Sequence, residues 1–273
     1  MLLGRAPKLH TRFHRHRGRL ALFQQAANGR EYWREYWTPP RRAALLNAAT
    51  TGGLGELAPG IETWLPKQHL VLEAGCGPGH VVAALRARGY RARGVDFEPQ
   101  VVSFVNAAAP ELDVRIGDVT RLDLPDASVG AYLSLGVIEH FEAGPEAALA
   151  EARRVVRPDG VALISVPFLN TGRTQLLEAL RSAPHDDEQF HQYYFDEADF
   201  AAVLREAGFA PIETFPYAVE AYLTREHAIL SRLWRTRLAR ERVKRPLRRA
   251  FTDASRWVRS RYGHMLMMVC RRR

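Results

Sequence analysis

The sequence that decides the fold is Leu70-Val71-Leu72-Glu73-Ala74-Gly75-Cys76-Gly77-Pro78-Gly79-His80. Its first half is apolar and suits a buried strand, and a helical pattern follows its second half over residues 81–88. Glycines at alternate positions let the backbone turn sharply, and they let a ligand approach the main chain because no Cβ stands in the way. The stretch therefore predicts a strand, a tight turn and a helix, with a ligand site at the turn.

The spacing of the glycines narrows the choice of ligand. A dinucleotide-binding turn has the pattern GxGxxG, which seats a pyrophosphate on the N-terminus of the following helix. Here the third glycine, Gly79, comes one residue early, and His80 stands at the sixth position. The turn therefore favours a compact zwitterion with a nucleoside attached. Two alternatives stay open: an NAD-dependent oxidoreductase, which shares the strand and turn, and a non-catalytic binding scaffold, since a fold does not fix a function.

Short apolar runs alternate with helical patterns along the rest of the chain. This alternation is typical of a parallel sheet with helices on both faces. Strands are predicted at 69–73, 91–96, 114–116, 130–135, 161–166, 211–215 and 265–270, and helices at 81–88, 100–108, 146–156 and 197–207.

Acidic residues stand where two of these strands end. Asp96 closes the second strand, and its carboxylate can accept hydrogen bonds from both hydroxyls of a ribose. Phe97 follows it and offers an aromatic face on which adenine can pack. Asp118 stands just after the third strand. These residues predict a nucleoside site beside the glycine turn.

Five segments follow one another in order: Glu73 with the glycine turn, Gly94-Val95-Asp96, Arg115-Ile116-Gly117-Asp118-Val119, Ser134-Leu135-Gly136-Val137-Ile138-Glu139-His140-Phe141 and Arg157-Pro158-Asp159-Gly160. In this combination the chain resembles the class I S-adenosylmethionine-dependent methyltransferases. The resemblance implies an α/β, doubly wound, seven-stranded, mostly parallel sheet in the order 3-2-1-4-5-7-6. It also implies S-adenosyl-L-methionine as cofactor, held by Glu73, Gly75, Gly77, Gly79, Asp96, Phe97, Asp118, Val119 and Leu135.

Methyl transfer from a sulfonium is a single displacement, so the protein chiefly aligns the acceptor and excludes water. A hydroxyl or phenol acceptor also gains from a base with a pKa near neutrality, such as an imidazole. His140 is the first catalytic candidate and His191 the second. The resemblance places Tyr193 and Tyr194 at the border of the acceptor pocket, although core packing explains them equally well. Glu139 beside His140 leaves a metal site open, but we predict no metal.

Charge divides the chain into regions. The net charge is +9, yet residues 1–30 hold seven Lys/Arg and no Asp/Glu, and residues 218–262 hold thirteen Lys/Arg against four Asp/Glu. These segments contribute +7 and +9, which leaves −7 for the rest. We predict a basic mobile arm (1–19), an N-terminal helical cap (20–68) and a methyltransferase domain (69–273) with a basic amphipathic helical insert (218–262) before the last strand.

Within the predicted cap, aromatic pairs at Tyr32, Trp33, Tyr36 and Trp37 lie on one helix face. They can close over the cofactor or simply pack, and the sequence leaves both open.

Composition and motifs also limit which partners and which location we expect for the protein. Two cysteines are too few for a disulfide framework, and no apolar run is long enough to cross a bilayer, so we expect a cytoplasmic protein. We expect a small-molecule or lipid/glycan-linked acceptor, methylated at oxygen. Contact of the basic insert with the anionic inner membrane surface is a further option. Nucleic acid is disfavoured, because Leu135-Gly136-Val137-Ile138 stands where base-modifying relatives often carry an asparagine-proline-proline-aromatic motif.

Overall fold

The computed structural model describes residues 12–24, 29–49, 53–174, 188–226 and 256–273. Its strands are β1 (Arg12–His16), β2 (Arg19–Gln24), β3 (Leu70–Ala74), β4 (Arg91–Asp96), β5 (Val114–Ile116), β6 (Val129–Leu135), β7 (Val156–Pro167), β8 (Gln189–Tyr194), β9 (Phe209–Tyr217) and β10 (Met265–Arg272). Its helices are α1 (Arg30–Tyr36), α2 (Pro39–Ala49), α3 (Ala58–Trp64), α4 (His80–Ala87), α5 (Pro99–Ala108), α6 (Glu146–Val155), α7 (Glu197–Glu206), α8 (Val219–Glu226) and α9 (Arg256–Tyr262). Short 3-10 turns occupy Gly55–Leu57, Pro110–Leu112 and Ile138–His140.

A seven-stranded sheet forms the centre of the molecule. Its order is β5-β4-β3-β6-β7-β10-β9, and β10 runs antiparallel to both of its neighbours while the pairs from β5 to β7 are parallel. Counted within this sheet, the order is 3-2-1-4-5-7-6, as predicted. The predicted α/β fold, with a doubly wound and mostly parallel sheet, is confirmed.

Both faces of the sheet are buried. Leu72 and Tyr132 point into one core, which also holds residues of α6 and α7. Val71 and Leu133 point into the other, which holds residues of α2 to α5. Strands that are covered on both faces are continuously apolar, and this explains why their sequence signal was strong.

A second, three-stranded antiparallel sheet corrects the predicted N-terminal organisation. β1 and β2 form a hairpin through Arg17 and Gly18, both with positive φ, and β2 pairs with β8. The predicted mobile arm (1–19) is therefore wrong over residues 12–19, and the predicted cap (20–68) starts as strand and not as helix. Arg19 fixes the hairpin to α7 through two hydrogen bonds to Asp199, of 2.6 and 2.9 Å. Residues 1–11 lie outside the described residues.

The cap itself consists of α1, α2 and α3. Helix α1, which carries most of the aromatic residues, ends at Tyr36, shortly before Pro39 and Pro40. The prolines then begin α2, because the first turn of a helix does not need their missing N–H groups. The turn between the two helices thus lies at Trp37 and Thr38.

The predicted basic insert (218–262) is described only at its two ends. α8 follows β9 and α9 precedes β10, and residues 227–255 lie outside the described part of the chain. Within the described part, none of the helices has the length and apolar character needed to cross a membrane.

Candidate functional site

A cavity of about 470 Å³ opens at the carboxyl ends of the central parallel strands. This is the edge where ligands bind in doubly wound folds. Among the predicted site residues, those that line it are Gly75, Gly77, Asp96, Phe97, Asp118, Val119, Leu135 and His140. The sequence did not single out five further lining residues, which are Ile116, Gly117, Gly136, Val137 and Phe141. All five stand within three residues of a predicted one, so the segments were identified but not every contact.

The glycine turn forms one wall of the cavity, and its three glycines have different tasks. All three have positive φ, between 51° and 78°. A Cβ on Gly75 would stand 2.5 Å from Val137, and one on Gly77 would stand 2.8 Å from the Trp37 ring. Gly79 instead packs beside Val114 and does not line the cavity. A larger residue at Gly75 or Gly77 would therefore fill the cavity. Gly79 instead provides the left-handed backbone conformation from which α4 begins.

The glycine turn gives a ligand space to approach the backbone, but the N–H groups of Gly75, Cys76 and Gly77 already donate hydrogen bonds within the protein. The N–H groups of Gly75 and Cys76 both donate to the carbonyl of Val95, at 2.8 and 3.0 Å. The N–H of Gly77 donates to Asp96 Oδ2 at 2.7 Å. Close approach of a ligand to the backbone, made possible by the missing side chains, is thus the contribution of this turn.

Asp96 joins the turn to the end of β4. Its second oxygen, Oδ1, accepts from the N–H of Glu98 at 3.0 Å, and the residue is only 7% exposed. Burial raises the pKa of the carboxyl, while its two backbone hydrogen bonds act in the opposite direction. Each carboxylate oxygen can accept more than one hydrogen bond, so Asp96 can still receive a ligand hydroxyl.

Asp118 and Glu73 occupy contrasting positions. Asp118 is exposed at the cavity rim, and its Oδ1 accepts from the N–H and the hydroxyl of Thr120 at 2.8 and 2.7 Å. Glu73 lies beneath the turn and does not line the cavity. Burial raises the pKa of the Glu73 carboxyl well above its usual range. A direct ligand contact is thus open to Asp118, whereas Glu73 supports the turn from below.

The two predicted catalytic histidines are neighbours. The His140 and His191 ring centroids lie 5.0 Å apart, and His140 Nδ1 is 2.8 Å from the main-chain oxygen of His191. A carbonyl oxygen only accepts, so the proton of this hydrogen bond resides on His140 Nδ1. In the neutral ring, Nε2 is then the nitrogen that can take up a proton. It lies 3.8 Å from Glu139 Oε1.

Burial keeps this cluster neutral. It lowers the pKa of His140 to about 4 and that of His191 to about 3, and it raises the pKa of Glu139 to about 8. Near pH 7 both imidazoles are therefore uncharged and the Glu139 carboxyl is mostly protonated. The described residues include no group of three His, Cys, Asp or Glu side chains that could hold a metal ion.

Helix α1 covers the cavity with aromatic rings. Trp33 meets His140 edge-on at 4.9 Å between centroids, and Tyr32 meets His191 in the same way at 4.9 Å. Trp37 lies against Gly77 and lines the cavity together with Trp33. Of the two readings left open for the aromatic pairs, the structure places both tryptophans in the wall of the site.

Tyr193 and Tyr194 do not line this cavity. Tyr193 is buried in the core, and its hydroxyl donates to the carbonyl of Glu142 at 2.9 Å. Tyr194 packs against Phe13 of the hairpin. Of the two alternatives left open for these tyrosines, the structure agrees with core packing, with Tyr193 in one hydrophobic cluster and Tyr194 in another.

The residues present fit the cofactor that the resemblance implies. Asp96 and Asp118 supply acidic groups, and Trp33, Trp37 and Phe141 supply aromatic surfaces. Such surfaces attract a ligand that carries positive sulfonium and ammonium charges. A substituent on either cavity-lining glycine would collide with the opposite wall, as the distances above show.

Known proteins support the same conclusion. Residues 72–164 match a family model described as a methyltransferase domain. A protein of Mycolicibacterium smegmatis named "Probable S-adenosylmethionine-dependent methyltransferase" is 35% identical over 144 residues, which cover 53% of this chain and 53% of that protein. The malonyl-[acyl-carrier protein] O-methyltransferase of Serratia marcescens is 35% identical over 118 residues, or 43% of this chain and 46% of that protein. The chain thus spans about half the length of these curated relatives.

Solved structures agree on the fold. A TehB-like S-adenosylmethionine-dependent methyltransferase from Corynebacterium glutamicum gives a TM-score of 0.55 at 20% identity, covering 90% of this chain and all of that one. A Burkholderia thailandensis 1,6-didemethyltoxoflavin-N1-methyltransferase, with S-adenosylhomocysteine bound, gives a TM-score of 0.52 at 19% identity. The match covers 92% of this chain and 95% of that one.

Fold and site together define a doubly wound α/β domain built to hold a nucleoside-bearing cofactor at the end of its first strand. Residues 72–164 thus match a methyltransferase domain, and the comparisons support a class I S-adenosylmethionine-dependent methyltransferase with S-adenosylmethionine as its cofactor. The same matches favour this class over the alternative of an NAD-dependent oxidoreductase.

Proposed function

We propose that this protein is an S-adenosylmethionine-dependent methyltransferase that methylates an oxygen of a small-molecule or lipid/glycan-linked acceptor. The observation that carries the proposal is His140, an uncharged imidazole in the cavity wall whose proton-accepting nitrogen is defined by its hydrogen bond. Asp96, Asp118 and the turn at Gly75 and Gly77 would hold the cofactor. Phe97, Val119 and Leu135 would enclose it.

S-adenosylmethionine supplies an electrophilic methyl group on a sulfonium. The protein's part is alignment and exclusion of water. Trp33, Trp37 and Phe141 line the cavity beside His140 and provide the apolar walls for both tasks. An acceptor hydroxyl positioned at His140 would lose its proton as the new bond to carbon forms.

Glu139 makes His140 a better base than burial alone would allow. A proton on His140 Nε2 creates a buried imidazolium, which is costly without a partner. The Glu139 carboxyl, 3.8 Å away, offsets that cost when it is ionised. His140 is therefore the stronger base in those molecules whose Glu139 carboxyl has already released its proton to solvent.

Oxygen as the methylated atom has support from one relative. The Serratia marcescens protein is named as an O-methyltransferase, and its similarity to this chain covers 46% of its length. The lipid-linked option draws on α9, where the Trp257 side chain is 67% exposed and Arg261 is exposed beside it. Apolar and basic groups of this kind suit an anionic lipid surface.

The test is methyl transfer from tritiated S-adenosylmethionine to hydroxyl, phenol, carboxyl and amine compounds, offered both in solution and in lipid vesicles. Mass spectrometry of the product would locate the methyl group. We expect transfer to oxygen, and we expect His140→Gln to lower kcat by roughly 10²–10⁴-fold, the usual contribution of a general base.

The matched control is His69→Gln, at the opposite edge of the sheet just before β3. It should keep the activity of the natural sequence. Transfer to nitrogen or carbon, or full activity of the His140→Gln variant, would overturn the proposal. Transfer to none of these compounds, with cofactor binding intact, would favour the non-catalytic scaffold.

A further inference from the structure

Gln24 ends strand β2 and is buried, with 3% of its surface exposed. Its side-chain Nε2 lies 2.7 Å from His191 Nδ1. An amide nitrogen donates, so His191 accepts this hydrogen bond at Nδ1 and carries its own proton on Nε2. A glutamine from the N-terminal hairpin thus fixes the orientation and tautomer of a histidine in β8.

The pairing of β2 with β8 is irregular at this histidine. Leu22 pairs with Gln192 and Phe23 pairs with Phe190, so His191 is the extra residue of a β-bulge. Bulges are frequent beside active sites, where they redirect groups. Here the main-chain oxygen of His191 is directed at His140 Nδ1, 2.8 Å away.

These two hydrogen bonds form one connected array. Gln24 holds the ring of His191, the bulge presents the carbonyl of His191, and that carbonyl accepts the Nδ1 proton of His140. Tyr32 and Trp33 contact the faces or edges of the two imidazoles and keep them from rotating. A continuous series of contacts therefore connects Gln24 in the hairpin, through His191, to His140 in the cavity wall.

We propose that Gln24 and the bulge at His191 are a positioning device that holds His140 in the Nδ1-protonated tautomer, with Nε2 as its proton acceptor. Its value for methyl transfer rests on the proposed function. The tautomer itself does not, because it is a property of the protein without an acceptor. Gln24 is a positioning residue and touches no reacting atom.

The experiment is nuclear magnetic resonance of the full chain labelled with ¹⁵N-histidine. Long-range ¹H–¹⁵N correlation spectra separate Nδ1-protonated from Nε2-protonated imidazoles, and loss of signals in His140→Gln and His191→Gln assigns the two rings. In the natural sequence we expect one tautomer for each ring, protonated at Nδ1 in His140 and at Nε2 in His191.

Gln24→Leu removes the donor, and we expect both tautomers of His140 to become populated. Gln24→Glu keeps the shape but presents an acceptor, so His191 should move its proton to Nδ1. The control is Gln189→Leu, the exposed glutamine that pairs with Gln24 across the ladder, and it should leave both rings unchanged.

The result that would overturn the proposal is a His140 that is already a mixture of tautomers in the natural sequence, or one that keeps a single tautomer in both Gln24 variants. If Gln24→Leu fails to fold, the tautomer of His140 in Gln24→Glu decides the matter: a mixture supports the proposal and a single tautomer overturns it. A single Nδ1-protonated His140 in a protein that transfers no methyl group would contradict the proposed function and leave this positioning array intact.

Discussion

At the residue scale, the site depends on ionisable side chains that the fold keeps uncharged. His140 and His191 are buried as neutral imidazoles, and Glu139 is buried as a mostly protonated acid. Neither group holds a charge easily by itself, but an ionised Glu139 carboxylate favours the imidazolium that forms when His140 takes up a proton.

Buried histidines make the fold sensitive to acid. The pKa of His140 is about 4 in the folded protein and near 6.5 in an unfolded chain. The unfolded chain therefore binds more protons below pH 6.5, so the stability present above that pH is lost as the pH falls towards 4. The His140→Gln variant lacks this pH-dependent loss. As the pH falls from 7 to 4, its free energy of unfolding should rise by about 3 kcal/mol relative to that of the natural sequence.

Urea unfolding at pH 4.5, 5.5, 7 and 8 measures that difference. His69→Gln is again the control, and the difference in stability between it and the natural sequence should be the same at each pH. Parallel curves for His140→Gln as well would show that His140 titrates normally in the fold and would remove the basis for a neutral buried imidazole.

At the element scale, the two halves of the site come from different kinds of structure. The cofactor half consists of β3, β4, β5 and the turns that follow them, all close to one another along the chain. The acceptor half combines α1, the turn Ile138–His140 and β8, and β8 is in turn held by the hairpin of β1 and β2. Helix α1 lies over both halves.

Helix α1 should report the arrival of the cofactor. Trp33 and Trp37 both line the cavity, and Trp37 lies against the glycine turn. S-adenosylmethionine should therefore quench tryptophan emission in a saturable manner, and most of that change should disappear in the Trp33→Phe, Trp37→Phe double variant. Fluorescence titration measures it.

Trp64→Phe serves as the control for that titration, because the Trp64 ring is hydrogen-bonded to Glu213 away from the cavity. Its quenching should match that of the natural sequence. A double variant that is quenched as strongly as the Trp64→Phe protein would mean that α1 does not contact the cofactor.

The same elements show what the sequence could reveal about the fold. β6 was predicted within one residue of its observed bounds, since a strand that is buried on both faces reads as an apolar run between turn signals. The hairpin of β1 and β2 was missed because arginines and histidines occupy much of it. Its stability comes from β8, about 170 residues further along the chain, through contacts that local composition does not encode.

At the scale of the whole molecule, the proposed cofactor site was largely predictable from the sequence, whereas the surroundings of His140 were not. Glycines, Asp96 and Asp118 carry recognisable spacing within a single strand-and-turn series. By contrast, the approach of Gln24 to His191, and of His191 to His140, depends on how two sheets meet. The −7 charge outside the two basic segments likewise gives no hint of which acids surround the pocket.

Calorimetric titration with S-adenosylmethionine, and separately with NAD, is the measurement that most directly tests the assignment. We expect saturable binding of S-adenosylmethionine and none of NAD. Asp96→Ala removes a charged hydrogen-bond acceptor for the ribose and should weaken binding at least about tenfold. Gly77→Val should abolish it, because Gly77 has a φ of +51° and a Cβ there would meet Trp37 at 2.8 Å.

Asp159→Ala, an exposed acid at the opposite edge of the sheet, is the matched control and should bind like the natural sequence. Binding of NAD in place of S-adenosylmethionine, or equal affinity in the folded Asp96→Ala and Gly77→Val variants, would contradict the cofactor site described here.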